Sequence, residues 1–248
     1  MLRWLSAIIV AICAVEAYAQ QGVNQEPALQ IQAVAYAINI TPLRVEMDNA
    51  EFFEQVQIRN DSDELLNVQL RIFKWSQAGG TDQYAASSDI LISPSITRIA
   101  AHQTQNFRLL RANDKKTAGE TRYRIIVDQL PNLTAISANQ TQTRLRFSVP
   151  LFVNSDTATA PDLEWKISGQ QLNIINKGGK TVKIGNVILI NSSGERIDIK
   201  ASGTRYVLGG SDVVWEMGAD IRCDAGPLKI DAVVDQQIIY ATPSTYCL

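Results

Sequence analysis

The chain has 248 residues, of which 46% are hydrophobic and 19% charged, with a formal net charge of -2. That apolar fraction excludes general disorder, and 23 basic against 25 acidic residues give no electrostatic basis for nucleic-acid binding. A single histidine, His102, leaves few options for metal or acid–base chemistry.

The N-terminus reads as an export signal. Met1-Leu2-Arg3 is a short positive start, Trp4 to Val15 is apolar, and Ala17-Tyr18-Ala19 is a small-x-small cleavage box. Residues 1–19 are therefore expected to be removed and the mature chain exported. No later apolar run reaches the ~18–20 residues of a membrane span, so no membrane insertion of the mature chain is expected. Residues 20–27 are polar and expected to be a flexible N-terminal segment.

From there the chain reads as strands. Val56 and Ile58 alternate with Gln55, Gln57 and Arg59, and Val68, Leu70 and Ile72 alternate with Gln69 and Arg71. Tyr123, Ile125 and Val127 follow the same pattern, as do Leu145, Phe147, Val149 and Leu151. Each segment thus has one dry face and one wet face. Turn signals separate them: Asn60-Asp61-Ser62-Asp63, Ala78-Gly79-Gly80, Lys177-Gly178-Gly179 and Ser192-Ser193-Gly194. The fold class is all-β, and at roughly 100 residues per immunoglobulin-type sandwich the length asks for two. The polar stretch Asn154 to Pro161 is the expected seam, giving one domain over residues 28–155 and a second over 156–248. In the second, the pattern restarts at Leu163-Glu164-Trp165-Lys166-Ile167.

Export makes cysteine pairing possible. Cys13 leaves with the signal, and Cys223 with Cys247 is expected to form a structural disulfide rather than remain as free thiols. Two thiols without a nearby histidine cannot complete a tetrahedral site, so no metal is expected, and no cofactor motif is present. Nucleophile elbows, zincin motifs and phosphate loops are missing from the sequence. His102 lies in a polar turn without catalytic partners, so the chain is not expected to be an enzyme.

The order of segments resembles a known family. Ile40-Thr41-Pro42-Leu43-Arg44-Val45 opens the first domain, followed by Ile92-Ser93-Pro94-Ser95-Ile96, Gln103-Thr104-Gln105-Asn106-Phe107-Arg108-Leu109 and Tyr123-Arg124-Ile125-Ile126-Val127-Asp128-Gln129-Leu130-Pro131. Arg144-Leu145-Arg146-Phe147-Ser148-Val149-Pro150-Leu151-Phe152-Val153 closes it, and Tyr206-Val207-Leu208-Gly209-Gly210-Ser211 with Trp215 marks the second. Together they resemble the PapD-like periplasmic chaperones of the chaperone–usher pathway. The resemblance implies two immunoglobulin-like domains in an L. It also implies pilus or fimbrial subunits and an outer-membrane usher as partners, and binding by donor-strand complementation.

On that reading Leu145, Phe147, Val149 and Leu151 form the donor strand, with Thr141 and Thr143 sharing their parity and Ile136 out of step. Better-known branches of the family hold the subunit's terminal carboxylate with an arginine and a lysine. Arg44 matches the arginine, but Pro150 stands where the lysine is expected, a form similar to the archaic branch serving spore-coat-U-type subunits. Arg108, expected on a strand next to the donor, and Arg146 are the further anchor candidates. Gln129 and Asn154 occupy two positions of the family's charged interdomain network, which is therefore expected to be eroded. The competing reading is a secreted structural or adhesive protein with two such domains, a pilus component itself. Against it, residues 20–29 lack the alternating apolar pattern of a subunit's donor extension.

Overall fold

A computed structural model describes residues 38–112, 118–131, 144–199, 204–218 and 227–246. The candidate cysteines Cys223 and Cys247, and Ile136, Thr141 and Thr143, lie outside these residues.

Every long element is a strand, because apolar residues recur at period two and turn residues interrupt them. The first sandwich contains β1 (Ile38–Thr41), β2 (Val45–Met47), β3 (Phe53–Asn60), β4 (Leu66–Ala78), β5 (Thr81–Ala86), β6 (Ile90–Ser93), β7 (Ile96–Ile99), β8 (Thr104–Arg111), β9 (Thr121–Leu130) and β10 (Arg146–Val153). One sheet runs β1-β3-β8-β6; the other runs β2-β10-β9-β4-β5, with β7 also on β4. The chain turns through Pro42 and Leu43 to carry β1 of one sheet into β2 of the other. Val56, Ile58, Phe107, Leu109, Ile125 and Val127 fill the space between the sheets without solvent exposure.

A 3-10 turn, Ser155–Thr157, leads out of β10. It starts at Asn154, which takes the left-handed conformation that asparagine tolerates better than most residues (φ 59°). The second sandwich comprises β11 (Leu163–Ser168), β12 (Gln171–Asn176), β13 (Val182–Ile190), β14 (Arg196–Asp198), β15 (Arg205–Val207), β16 (Ser211–Glu216), β17 (Lys229–Val234), β18 (Gln237–Ala241) and β19 (Ser244–Tyr246). Its sheets are β16-β12-β11-β19 and β14-β13-β17-β18, with β15 on β13. Ile167, Leu172, Ile174, Ile184 and Leu189 form its core.

The two sandwiches meet through a dense joint. Trp75 and Phe152 of the first pack against Tyr206 and Leu208 of the second. The Gln77 carboxamide bonds both ways to that segment: Nε2 donates to the Tyr206 carbonyl (2.8 Å) and Oε1 accepts from the Leu208 amide (2.9 Å). Arg205 donates back to the Gly80 carbonyl (3.0 Å).

The charged part of the joint corrects the expectation of erosion. Glu120, its side chain fully buried, accepts from Arg122 Nε (2.8 Å), the Thr181 amide (3.0 Å), the Thr181 hydroxyl and the Ser155 hydroxyl (3.0 Å). Arg122 also donates to the Gly179 carbonyl (2.6 Å). A buried carboxylate is tolerated only when its lone pairs are satisfied in this way. The network is therefore intact but built on Glu120 and Arg122. Gln129 instead accepts the Leu145 amide (3.3 Å), and the buried Asn154 gives its amide to the Met47 carbonyl (2.9 Å). Gly209 is required here, since a Cβ would come within 2.0 Å of the Gly179 carbonyl oxygen.

Candidate functional site

β10 carries the site. It pairs with β9 along its whole length, Arg146 opposite Asp128 through Val153 opposite Thr121. On its other side it pairs with β2 only through Leu151, Phe152 and Val153. The half from Arg146 to Pro150 therefore has no strand beyond it among the described residues. A free edge of this kind presents unpaired N–H and C=O groups to any strand that approaches.

Burial changes along the same strand. Val149 and Leu151 lie in the first sandwich's own core, at 2% and 0% exposure. Leu145 and Phe147 share their parity but sit at the rim, half-buried against that core. The expectation that all four insert into a partner is thereby corrected. The sheets still enclose Val149 and Leu151, so only Leu145 and Phe147 can turn to a partner without opening the domain.

The opposite face of β10 borders the joint. Pro150 lies directly across from Arg124 and Phe152 across from Arg122. The guanidinium carbon of Arg124 sits 3.7 Å from the Trp75 ring centroid and 5.1 Å from that of Tyr206, a cation held between two aromatic rings. Burial lowers its pKa from the usual arginine value, and contacts with Tyr84 and nearby acidic groups oppose that shift. No carboxylate lies in salt-bridge contact with Arg124 among the described residues, and its buried Nε has no hydrogen-bond partner.

The three predicted anchor arginines fare differently. Arg44 reaches the same joint, its guanidinium 4.5 Å from the Phe152 ring centroid. Two carboxylates already accompany it, Glu46 at 2.7 Å and Asp235 of the second sandwich at 3.6 Å. Arg146 is two-thirds exposed and engaged by Asp128 at 2.5 Å, which also binds Arg71 at 2.6 Å. Arg108 is corrected outright: β8 lies in the opposite sheet between β3 and β6, so Arg108 is not beside β10. It projects to solvent from the far face, opposite Gln55 and Ser93.

Arg124 is the residue sequence reasoning missed. The signal was present, since alternation puts Arg122 and Arg124 on the wet face of a strand whose Tyr123 and Ile125 are dry. What was missing was the register that sets Arg124 against Pro150. No group of three or more metal-ligating side chains occurs among the described residues.

Comparison with known proteins follows the same lines. The family described as pili and flagellar-assembly chaperone, PapD N-terminal domain, matches residues 37–157. No curated protein sequence matches the chain. Among solved structures, a chain of the CsuC–CsuE chaperone–tip adhesion subunit pre-assembly complex from archaic Csu pili of Acinetobacter baumannii superposes with a TM-score of 0.63. It is 23% identical, covering 84% of this chain and 99% of that one. The YadV chaperone gives 0.62 at 19% identity, covering 83% and 98%. A chain of the Salmonella enterica SafA pilin–SafB chaperone complex gives 0.61 at 16% identity, covering 83% and 95%. The two-sandwich fold is thus that of solved pilus chaperones, and the first sandwich carries the match to the PapD N-terminal-domain family.

Proposed function

We propose that the chain is a periplasmic chaperone, exported by cleavage of residues 1–19, that binds pilus subunits by donor-strand complementation and delivers them to an outer-membrane usher. The observation that carries this reading is the unpaired half of β10, a strand edge running straight into a cationic joint. A subunit sandwich lacking a strand exposes an apolar groove flanked by unsatisfied backbone groups, and a free edge with rim apolar residues supplies both needs. Leu145 and Phe147 enter the groove, together with residues upstream of Arg144. Each apolar side chain buried contributes about 1.5–3 kcal/mol before the costs of association.

Arg124 grips the subunit's terminal carboxylate, with Arg44 as its neighbour across Tyr206. Arg124 has a desolvated guanidinium, a buried Nε without a hydrogen-bond partner and, among the described residues, no carboxylate in salt-bridge contact, whereas Arg44 is already compensated by Glu46 and Asp235. The Val149-Pro150-Leu151-Phe152-Val153 form, with Pro150 where the lysine is expected, favours the archaic branch. Co-expression with the subunit encoded beside it, followed by pull-down from the periplasm, tests the reading. A stable one-to-one complex is expected, and a folded chain that captures no subunit would overturn it.

A further inference from the structure

β18 is an end strand of its sheet and pairs only with β17 among the described residues. Its sequence, Gln237-Ile238-Ile239-Tyr240-Ala241, carries no charge and no proline. Ile238 and Tyr240 are 66% and 77% exposed on its outer face, while Ile239 and Ala241 pack against the core of the second sandwich. Sheet edges are ordinarily blunted by charge, proline or bulges, because unpaired N–H and C=O groups recruit another strand. β16, an edge of the other sheet, follows that rule with Asp212 and Glu216, and β14, at the far end of the same sheet, with Arg196 and Asp198. β18 does not.

The turn before β18 fixes which of its backbone groups are free. Two residues, Asp235 and Gln236, join β17 to β18, both at positive φ (45° and 72°), the form of a tight hairpin turn. The residues flanking such a turn, Val234 and Gln237, form a hydrogen-bonded pair, and bonded and non-bonded pairs alternate from there. Gln237, Ile239 and Ala241 therefore direct their N–H and C=O groups to β17. Ile238 and Tyr240 direct theirs outward, to a strand that has to answer both residues.

An antiparallel copy of β18 does so at one register. With Ile239 opposite Ile239 of the second copy, Ile238 faces Tyr240 of that copy and Tyr240 faces its Ile238, both as hydrogen-bonded pairs. Each pair also sets a β-branched residue beside an aromatic one on the outer face, a favourable cross-strand combination, and no like charges meet. A slip of one residue would set outward groups against inward ones, and a slip of two leaves a single bonded pair within the strands. On the inner side a groove of about 560 Å³ lies between β18 and β11, lined by Leu163, Trp165, Ile239 and Ala241, and offers the second Ile239 apolar surroundings. We infer that the free edge of β18 is a self-association surface, on which two copies of this chain pair antiparallel about Ile239. The contact is five residues a side, so the dimer is weak and concentration-dependent. Asp235, in the turn before β18, lies 3.6 Å from Arg44 of the first sandwich, so antiparallel pairing carries the two first sandwiches to opposite ends of the shared sheet. The surface uses no residue of the donor edge.

Sedimentation equilibrium of the purified, subunit-free protein tests this. Its weight-average mass should rise with concentration from one chain toward two. Ile238→Lys, which puts a charge on the exposed face, should hold it at one. Ile239→Cys reads the register without disturbing that face, because a non-bonded antiparallel pair brings two Cβ atoms within disulfide reach. Under mild oxidation the two introduced cysteines should cross-link, as identified by peptide mapping, and Tyr240→Cys should cross-link far less. A parent protein that stays monomeric to millimolar concentration would overturn the proposal. So would a dimer unchanged in folded Ile238→Lys, or an Ile239→Cys protein that gives no cross-link. A dimer that Phe147→Asp dissolves and Ile238→Lys does not would lie on β10, and the proposal would fall while the donor edge stood.

Discussion

The guanidinium carbon of Arg124 lies over the indole of Trp75, 3.7 Å from the ring centroid, which places a charge at the junction of the two sandwiches. A guanidinium held over a ring can still offer its edge for two parallel hydrogen bonds. Arg124→Ala should lower subunit affinity by about 1.5–3 kcal/mol, the worth of charged hydrogen bonds. Arg124→Lys should recover part of that loss. Arg44→Ala should have a smaller effect, because its charge is already matched. Titration of purified subunit complexes would check the order, and an equal loss from Arg44→Ala and Arg124→Ala would make them joint anchors.

Phe147 and Ser148 are neighbours on opposite faces of β10. A carboxylate at the apolar rim cannot enter a groove unpaired, so Phe147→Asp and Leu145→Asp should abolish capture. Ser148→Asp should do less. Circular dichroism must accompany the pull-down, because Phe147 also packs against the chaperone's own core. Retained capture by a folded Phe147→Asp would remove this face from the interface.

The joint makes its own prediction. Glu120→Ala would strand the mostly buried Arg122, whose side chain is 18% exposed, among carbonyls and a hydroxyl. Breaking one partner of a buried pair typically costs about 3–5 kcal/mol, to be seen as a lowered denaturation midpoint. Gly209→Ala should also destabilise, through backbone collision rather than charge.

Asp128 should contribute to acid sensitivity. Burial alone would raise its pKa, but hydrogen bonds from Arg146 and Arg71 outweigh this and hold it below the usual carboxylate value. A depressed folded pKa gives stability that is complete above the unfolded value of about 3.9 and is lost as pH falls through the folded one. Denaturant midpoints below about pH 4 should therefore fall less steeply in Asp128→Asn than in the parent.

The cysteines give a chemical prediction. Cys223 and Cys247 should be bridged in periplasmic material, and Cys247→Ser should cost about 2–5 kcal/mol. Unreduced peptide mapping that found two free thiols would refute the pairing.

Much of the sandwich architecture was legible in the sequence because alternation at period two reports directly which side chains share a face. Leu145 through Leu151 show where that signal stops. The four residues have identical parity, yet two are core and two are rim, because burial depends on where the opposing sheet ends. Arg108 shows a second limit. Strands close in sequence need not be neighbours in a sandwich, and the crossing from β8 to β9 changes sheets. Glu120 and Arg122 escaped notice for a third reason. Each looks like an ordinary turn or strand charge until the segment around Thr181 is brought against it.

β10 passes without interruption from its open edge, through the core at Val149 and Leu151, to the joint at Phe152. Its eight residues span roughly 26 Å at ~3.3 Å each. On the donor-edge reading, a pull along a bound partner would load a strand anchored at its far end, with no loop interrupting it between Arg146 and Val153. Its backbone bonds to β9 lie across the direction of pull and share the load, so they resist in shear and must give way together. A partner peeled sideways from the outer edge would break its bonds one after another at far lower force. On the donor-edge reading, a complex would thus be strong against tension along β10 and weak against a strand that displaces the partner stepwise from the side.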